Sequence, residues 1–183
     1  MKTALILIDI QNDYFPGGKN ELVNQVQAGL RAGEVLSVFR AKKLPVVHIQ
    51  HIANRPGATS FIAGTPGAEI HASVAPLPGE IVFQKHYPSA FRETPLLEYL
   101  RKEQVTHLVI VGSQTQMCID TSIRAAFDLG FECTLIHDAC ATKSLKFGER
   151  VVAAEDVQAA FLAAISARFA KVISAAEWIS SFN

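Results

Sequence analysis

The chain has 183 residues, which suits one domain with a substantial core. Its 17 Lys+Arg balance 17 Asp+Glu, and this zero formal charge gives no support for a nucleic-acid or anionic-membrane partner, since both need a basic excess. No apolar run approaches the ~20 residues of a spanning helix. Three cysteines at unrelated spacings argue against a disulfide framework and against a zinc cage.

The N-terminal MKTALILIDIQND reaches Asp9 too soon for a signal-peptide core and cleavage site, so a cytoplasmic protein is expected. Thr3–Ile8 is short, apolar and uninterrupted, as a strand buried on both faces should be. Between about Asn20 and Lys43 the apolar spacing of Leu22, Val26, Leu30, Val35, Val38 and Phe39 predicts an amphipathic helix. Leu44–Ile52 is the second strand, and a long Gly/Pro-rich connection, Ala53–Glu80, follows it; loops of that length often carry function. Ile81–Gln84 is the third strand. A helix opens with Thr94 as its cap and Pro95 at its first position. Thr106–Gly112 is the fourth strand, Met117–Gly130 a helix closed by glycine, and Glu132–His137 the fifth strand. Phe147–Phe169 is expected as one long helix with a solvated charged face, Ala170–Ser174 as the sixth strand, and Ala175–Phe182 as a short terminal helix.

Alternating strands and helices with near-continuous apolar strands predict an α/β fold. The expected form is a three-layer sandwich, a six-stranded, mostly parallel sheet with helices on both faces, in a single domain over residues 1–183. In such sheets ligands bind outside the carboxyl ends of the strands. The residues at that rim are Asp9, His51, Lys85, the Gly112–Cys118 segment and Asp138.

Three of them form a chemical set. A cysteine attacks a carbonyl as the thiolate. Cys118 opens a helix, whose unpaired N–H groups and dipole favour a negative sulfur. Lys85 supplies a positive charge, and Asp9 is placed to take the thiol proton. On this reading the sulfur rests as an anion. Each residue has a plainer reading: Asp9 as a turn cap, Lys85 as a solvated lysine, Cys118 as a small buried hydrophobe. Their coincidence at one strand edge favours a site.

The stretches ALILIDIQNDYFPGG, VFQKHYPSAFRETPLLEYLR and HLVIVGSQTQMCIDTSIRAAFDLGFECTLIHDACAT occur in this order, and in them the chain resembles the isochorismatase-like cysteine hydrolases, which include nicotinamidases and N-carbamoylsarcosine amidohydrolases. The resemblance implies a catalytic triad of Asp9, Lys85 and Cys118. It also implies a non-proline cis peptide at Ser113–Gln114, and an oxyanion hole built from the backbone N–H groups of Gln114 and Cys118. The implied activity is hydrolysis of a C–N bond in a small amide, ureido or carbamoyl compound through a thioester. Vinyl-ether hydrolysis using Asp9 is the alternative, and a non-catalytic binding protein of the same fold is a third reading.

Nicotinamidases of this family hold a metal with an Asp-x-His pair and a further histidine. Here HIQHIANRPG offers His48 and His51 without that aspartate, and His-x-x-His on a strand sends the two rings to opposite faces. No metal and no cofactor are expected. Phe15, Gln11, His51, Tyr87 and Phe91 are candidate substrate-binding residues, since pockets combine apolar walls with a few polar anchors; Tyr14 belongs with the same aromatic group. Cys133 and Cys140 read as structural. The only expected partners are a small-molecule substrate and further copies of the chain, as a homodimer or homotetramer, which suits a composition that is 49% hydrophobic.

Overall fold

The computed structural model describes residues 2–182. Six strands form one sheet in the order β3-β2-β1-β4-β5-β8, and every pairing in it is parallel. They are β1 (Thr3–Ile8), β2 (Val46–His51), β3 (Ile81–Lys85), β4 (His107–Ser113), β5 (Glu132–Ala141) and β8 (Lys171–Ile173). The helices are α1 (Gln25–Ala41), α2 (Leu96–Lys102), α3 (Asp120–Asp128), α4 (Ala154–Ser166) and α5 (Ala175–Phe182). Among the described residues no helix is long and apolar enough to cross a membrane.

The layers follow from the two-residue period of a strand. Leu5 and Leu7 of β1 pack with Val109 and Val111 of β4 under Ala32, Phe39 and Trp178, from α1 and α5. Ala4, Ile6 and Ile8 face the other way, with Ile110, Leu96, Leu100, Ile123 and Ile165, under α2, α3 and α4. Because both faces are covered, the strands carry no polar alternation. All six residues of β1 are buried.

The strand order reverses between β1 and β4. The chain leaves β1 toward β2 and β3, then returns to lay β4 on the opposite side of β1. Connections therefore diverge at the carboxyl ends of β1 and β4, which leaves a crevice there. Gly112 permits their close pairing: it sits at φ +130°, and a Cβ there would lie 2.0 Å from the Ile8 carbonyl oxygen.

Helix starts shift by a few residues, with Pro95 rather than Thr94 capping α2 and a π turn at Thr115–Ile119 preceding α3, and two elements differ more deeply from the sequence-based expectation. Phe147–Phe169 is not one helix. An antiparallel hairpin, β6 (Leu145–Phe147) with β7 (Arg150–Val152), occupies its first part, and α4 starts only at Ala154. Gly148 takes a left-handed φ of +58° in the tight turn, and the β-branched Val151 and Val152 suit a strand. The charges of Glu149 and Arg150 therefore belong to the hairpin. The fifth strand also runs four residues past His137, because Cys140 and Ala141 pair with Gly112 and Ser113 beyond an irregularity in the ladder. Asp138 consequently lies within β5, where its carboxylate accepts the Ala175 N–H at the start of α5 at 2.8 Å.

Candidate active site

Asp9 follows β1 directly, with a left-handed φ of +53°. Its N–H donates to the Ile49 carbonyl at 2.9 Å, and its own carbonyl accepts from Gln11 at 3.0 Å, so the backbone turns sharply on leaving the sheet. Lys85 ends β3, in register with His51. Two strand spacings of about 4.8 Å separate β3 from β1, and the long lysine stem reaches across the end of β2. Cys118 comes from the other side of the crevice. It lies in a single π-helical turn, Thr115–Ile119, between β4 and α3, just after the Ser113–Gln114 peptide, which is cis. π turns of this kind are frequent at functional sites.

The three side chains meet. Lys85 Nζ is 2.7 Å from Asp9 Oδ2, and both side chains are fully buried. The same ammonium donates to Cys118 Sγ at 3.3 Å and to the Tyr87 carbonyl at 3.0 Å. His51 Nδ1 stands 3.5 Å away. Burial opposes the Lys85 charge, but Asp9 and Cys118 more than offset it and hold the ammonium above its ordinary pKa. Both Asp9 oxygens are buried, and among the described residues neither has a hydrogen-bond partner of good geometry, although the carboxylate lies close enough to the Cys118 thiol to act on it. Such an orphaned acceptor costs stability, and in a cleft it marks an oxygen kept ready for a proton.

The expectation of a resting thiolate needs correction. Burial pushes the Cys118 thiol up to about 12, and the neighbouring Asp9 carboxylate adds to this; Lys85 opposes both and does not overcome them. The sulfur rests as a thiol, and its proton has to be taken at the moment of attack. His51 is shifted the other way: burial lowers its pKa, with help from Lys85, His86 and Arg55 against Asp9, so the ring is neutral near pH 7.

A cavity of about 450 Å³ opens on this cluster and exposes Cys118 and Gln114. Its walls include Tyr14, His51 and Phe61. Phe61 packs at 4.7 Å against the Tyr14 ring and edge-on to His51 at 5.6 Å. Burial and the nearby Cys118 and Asp9 raise the Tyr14 hydroxyl well above its ordinary pKa, so it stays protonated beside the sulfur. A larger hollow of about 800 Å³ lies between α1, β5 and α4, but no group of the Asp9–Lys85–Cys118 cluster lines it. The smaller cavity is therefore the one with chemistry.

The candidate binding residues divide. His51 lines the cavity. Tyr87 contributes its carbonyl to Lys85, while its ring lies under the Arg92 guanidinium at 3.5 Å. Phe15, Gln11, Tyr87 and Phe91 do not line the cavity. Phe15 is buried and stacks on His71 at 3.5 Å. Phe91 packs near Phe131 in the core. Gln11 is fully buried and acts as a splice: its Nε2 donates to the carbonyls of His51 and Ala68, and its Oε1 accepts the His51 N–H. It extends the sheet beyond β1 and ties down the long loop.

Asp13 does the same with its carboxylate, which accepts the N–H groups of Phe61 and Lys19. These ties set Phe61 over the site. Sequence reasoning missed Phe61, and its one available signal was an aromatic residue in an otherwise Gly/Pro/Ala-rich loop. His48 and His51 do not converge, since His48 Nε2 faces Glu80 Oε2 at 3.0 Å. Among the described residues no group of three His, Cys, Asp or Glu side chains could hold a metal ion.

The family model for the isochorismatase domain matches residues 3–177. The chain is 45% identical over 172 residues to the isochorismatase family protein YddQ of Bacillus subtilis, covering 94% of this chain and 96% of that one. It is 30% identical over 151 residues to the maleamate amidohydrolase of Pseudomonas putida, covering 75% and 71%. A solved isochorismatase-type structure from Oleispira antarctica superposes with a TM-score of 0.94 at 47% identity, over 98% of this chain and 96% of that one. The reversed strand order, the buried Asp–Lys–Cys cluster at its switch point and these matches lead to one conclusion: the chain belongs to the isochorismatase-like hydrolase family, which has amidohydrolase members.

Proposed function

We propose that the protein hydrolyses a C–N bond in a small amide, ureido or carbamoyl compound through a thioester on Cys118. The observation that carries this reading is the single buried ammonium of Lys85, 2.7 Å from Asp9 and 3.3 Å from the sulfur. That placement lets one cation stabilise either anion as the proton moves between them. The maleamate amidohydrolase relative, whose name states cleavage of an amide, supports the same chemistry.

Asp9 takes the Sγ proton as the sulfur adds to the carbonyl carbon. The negative oxygen rests on the backbone N–H groups of Gln114 and Cys118, a device worth about 2.7–4 kcal/mol per donor. The C–N bond then breaks, and the amine leaves with the proton from Asp9. A water molecule adds next, gives one proton to Asp9 and displaces the sulfur, which recovers that proton. The acid departs and the thiol is restored. The buried thiol near 12 fits this sequence, since it needs a base in contact rather than a standing negative charge.

Mass spectrometry after rapid quenching tests the proposal. An acylated Cys118 is expected with a slow amide substrate and is absent from Cys118→Ala. Vinyl-ether cleavage that survives Cys118→Ala, with no ammonia released from any amide, would replace this reading with the alternative.

A further inference from the structure

We propose that His51 binds the substrate as a hydrogen-bond donor through its Nε2–H, with Nδ1 left bare because it faces the Lys85 ammonium. The substrate half of this statement rests on the amidase reading above; the tautomer rests on the groups around the ring.

The residue is held before any ligand arrives. Its N–H donates to Gln11 Oε1 at 2.8 Å and its carbonyl accepts from Gln11 Nε2 at 2.8 Å, so one side chain clamps the backbone on both sides. Strand pairing sets it in register with Lys85, and Phe61 meets its ring edge-on at 5.6 Å. Lys85 Nζ stands 3.5 Å from Nδ1. An ammonium has donors and no acceptor. A proton on Nδ1 would set two N–H groups head to head, whereas a bare Nδ1 turns its lone pair to the positive charge. Asp9 and Cys118 keep that charge on Lys85 against the effect of burial. Burial first of all, with Lys85, His86 and Arg55, outweighs Asp9 and keeps the His51 ring uncharged near pH 7. Its single ring proton therefore sits on Nε2. Among the described residues no group accepts that proton, and His51 lines the cavity that exposes Cys118.

His86 lines the same cavity with the opposite arrangement. Its Nδ1 lies 2.8 Å from the Ile52 carbonyl, which only accepts, so the proton is fixed on Nδ1 and the bare nitrogen of the uncharged ring is Nε2. Of these two rings, only His51 offers a donor at Nε2.

The sheet order gives the donor its use. β1, with Asp9 at its end, lies between β2, which carries His51, and β4, which leads to Cys118. The backbone donors for the carbonyl oxygen, at Gln114 and Cys118, belong to the β4 side, and His51 approaches from the β2 side. A substrate on the sulfur thus meets N–H groups from two directions. The His51 contact fixes its orientation relative to Asp9, which has to reach the departing nitrogen. An uncharged donor does this without setting a second cation beside Lys85.

Two measurements on the intact protein decide this, and neither needs turnover. The first is long-range proton–nitrogen correlation in protein labelled with nitrogen-15 histidine, near pH 7, with His51 assigned by the loss of its signals in His51→Gln. His51 should show a bare Nδ1 and a protonated Nε2, without the mixture of tautomers of an exposed ring, and the uncharged form of His86 should show the reverse. The second is the rate of Cys118 alkylation, resolved by mass spectrometry, with iodoacetamide and with allyl bromide, which is of similar size and has no hydrogen-bond acceptor. The ratio of the two rates cancels any change in how readily the sulfur ionises. His51→Leu should lower the iodoacetamide to allyl bromide ratio roughly fivefold, the scale of one lost hydrogen bond to an uncharged acceptor, and His51→Gln, whose amide N–H can stand in for Nε2–H, should keep it within about twofold.

A proton on Nδ1 of His51 in the parent overturns the assignment. So does a ratio that His51→Leu leaves unchanged, as a merely structural role would, or that His51→Gln lowers as far as His51→Leu does. Acylation of Cys118 by an amide together with an unchanged ratio removes the donor and leaves the amidase reading standing. The stated tautomer and ratio, with no amide acylating Cys118, support the donor and remove the amidase reading.

Discussion

The molecule holds two charged clusters, one fully buried at Asp9 and Lys85 and one half-buried at Arg40 and Glu80; both draw on β2 and the residues around β3, and they are built on opposite principles. Glu80 sits between Arg40, which grips its two oxygens at 2.7 and 2.8 Å, the Leu77 N–H at 2.9 Å and His48 Nε2 at 3.0 Å. Those donors hold its carboxyl down at about 2. Asp9 has one cation at 2.7 Å and, among the described residues, no N–H donor on either oxygen, beside a thiol pushed up to about 12. A saturated carboxylate is a fastener, because moving a proton onto it would cost several hydrogen bonds. An under-supplied one next to a proton donor and a cavity is a proton acceptor in waiting. The same residue types thus give structure or chemistry according to how many donors surround the anion.

The largest effect expected from breaking the contrast is at the sulfur. Cys118→Ala should lower amide turnover by roughly 10³-fold or more, with the fold unchanged by dichroism, since a triad loses most of its rate with its nucleophile. Asp9→Asn should abolish turnover to a similar degree yet make the sulfur easier to ionise, because the Asp9 carboxylate is one of the forces that raise the thiol. Site-resolved iodoacetamide labelling as a function of pH reads this directly: the Cys118 midpoint should fall below that of the parent. Cys133 and Cys140, raised to about 12 by burial first of all, should not move. An unchanged Cys118 midpoint in Asp9→Asn would mean that the carboxylate does not act on the sulfur.

Much of this was legible in the sequence, for reasons that differ by residue. Asp9, Lys85 and Cys118 each stand at or just beyond the end of an apolar run, and a parallel sheet gathers strand ends at one edge. The walls of the cavity were less legible. Phe61 reaches the site because Asp13 and Gln11 fasten the loop through backbone groups, and backbone bonds leave no periodic trace in a sequence. Phe15 and Phe91 illustrate the opposite error. They neighbour the right motifs, but packing against His71 and Phe131 turns them into core. The hairpin at Leu145–Val152 was hidden because a short apolar run beside a helix satisfies either periodicity; Gly148 was the residue that distinguished them.

A smaller effect tests the wall. Phe61→Ala should raise KM several-fold and leave the Cys118 labelling profile in place, since the ring touches Tyr14 and His51 rather than the sulfur cluster. A loss confined to kcat would place Phe61 in the proton-transfer machinery instead, against the packing seen here.

The smallest expected effect on activity lies at the fastener, and it is visible in stability. The Glu80 side chain is 15% exposed and His48 1%, so Glu80→Gln removes a charge that is largely screened from water. The expected cost is about 1–3 kcal/mol, the scale of charge-assisted hydrogen bonds. The pH dependence has a definite sign. In the folded protein the carboxyl titrates near 2, against 4.5 when unfolded, so its stabilisation is fully present above about 4.5 and is lost as the pH falls toward 2. Urea unfolding of the parent should weaken across that interval, and Glu80→Gln should show a shallower acid slope while amide turnover near neutral pH stays close to that of the parent. Turnover that collapses with this substitution would tie the two clusters together through β2, where His48 and His51 share one strand, and the division between fastener and proton acceptor would no longer hold.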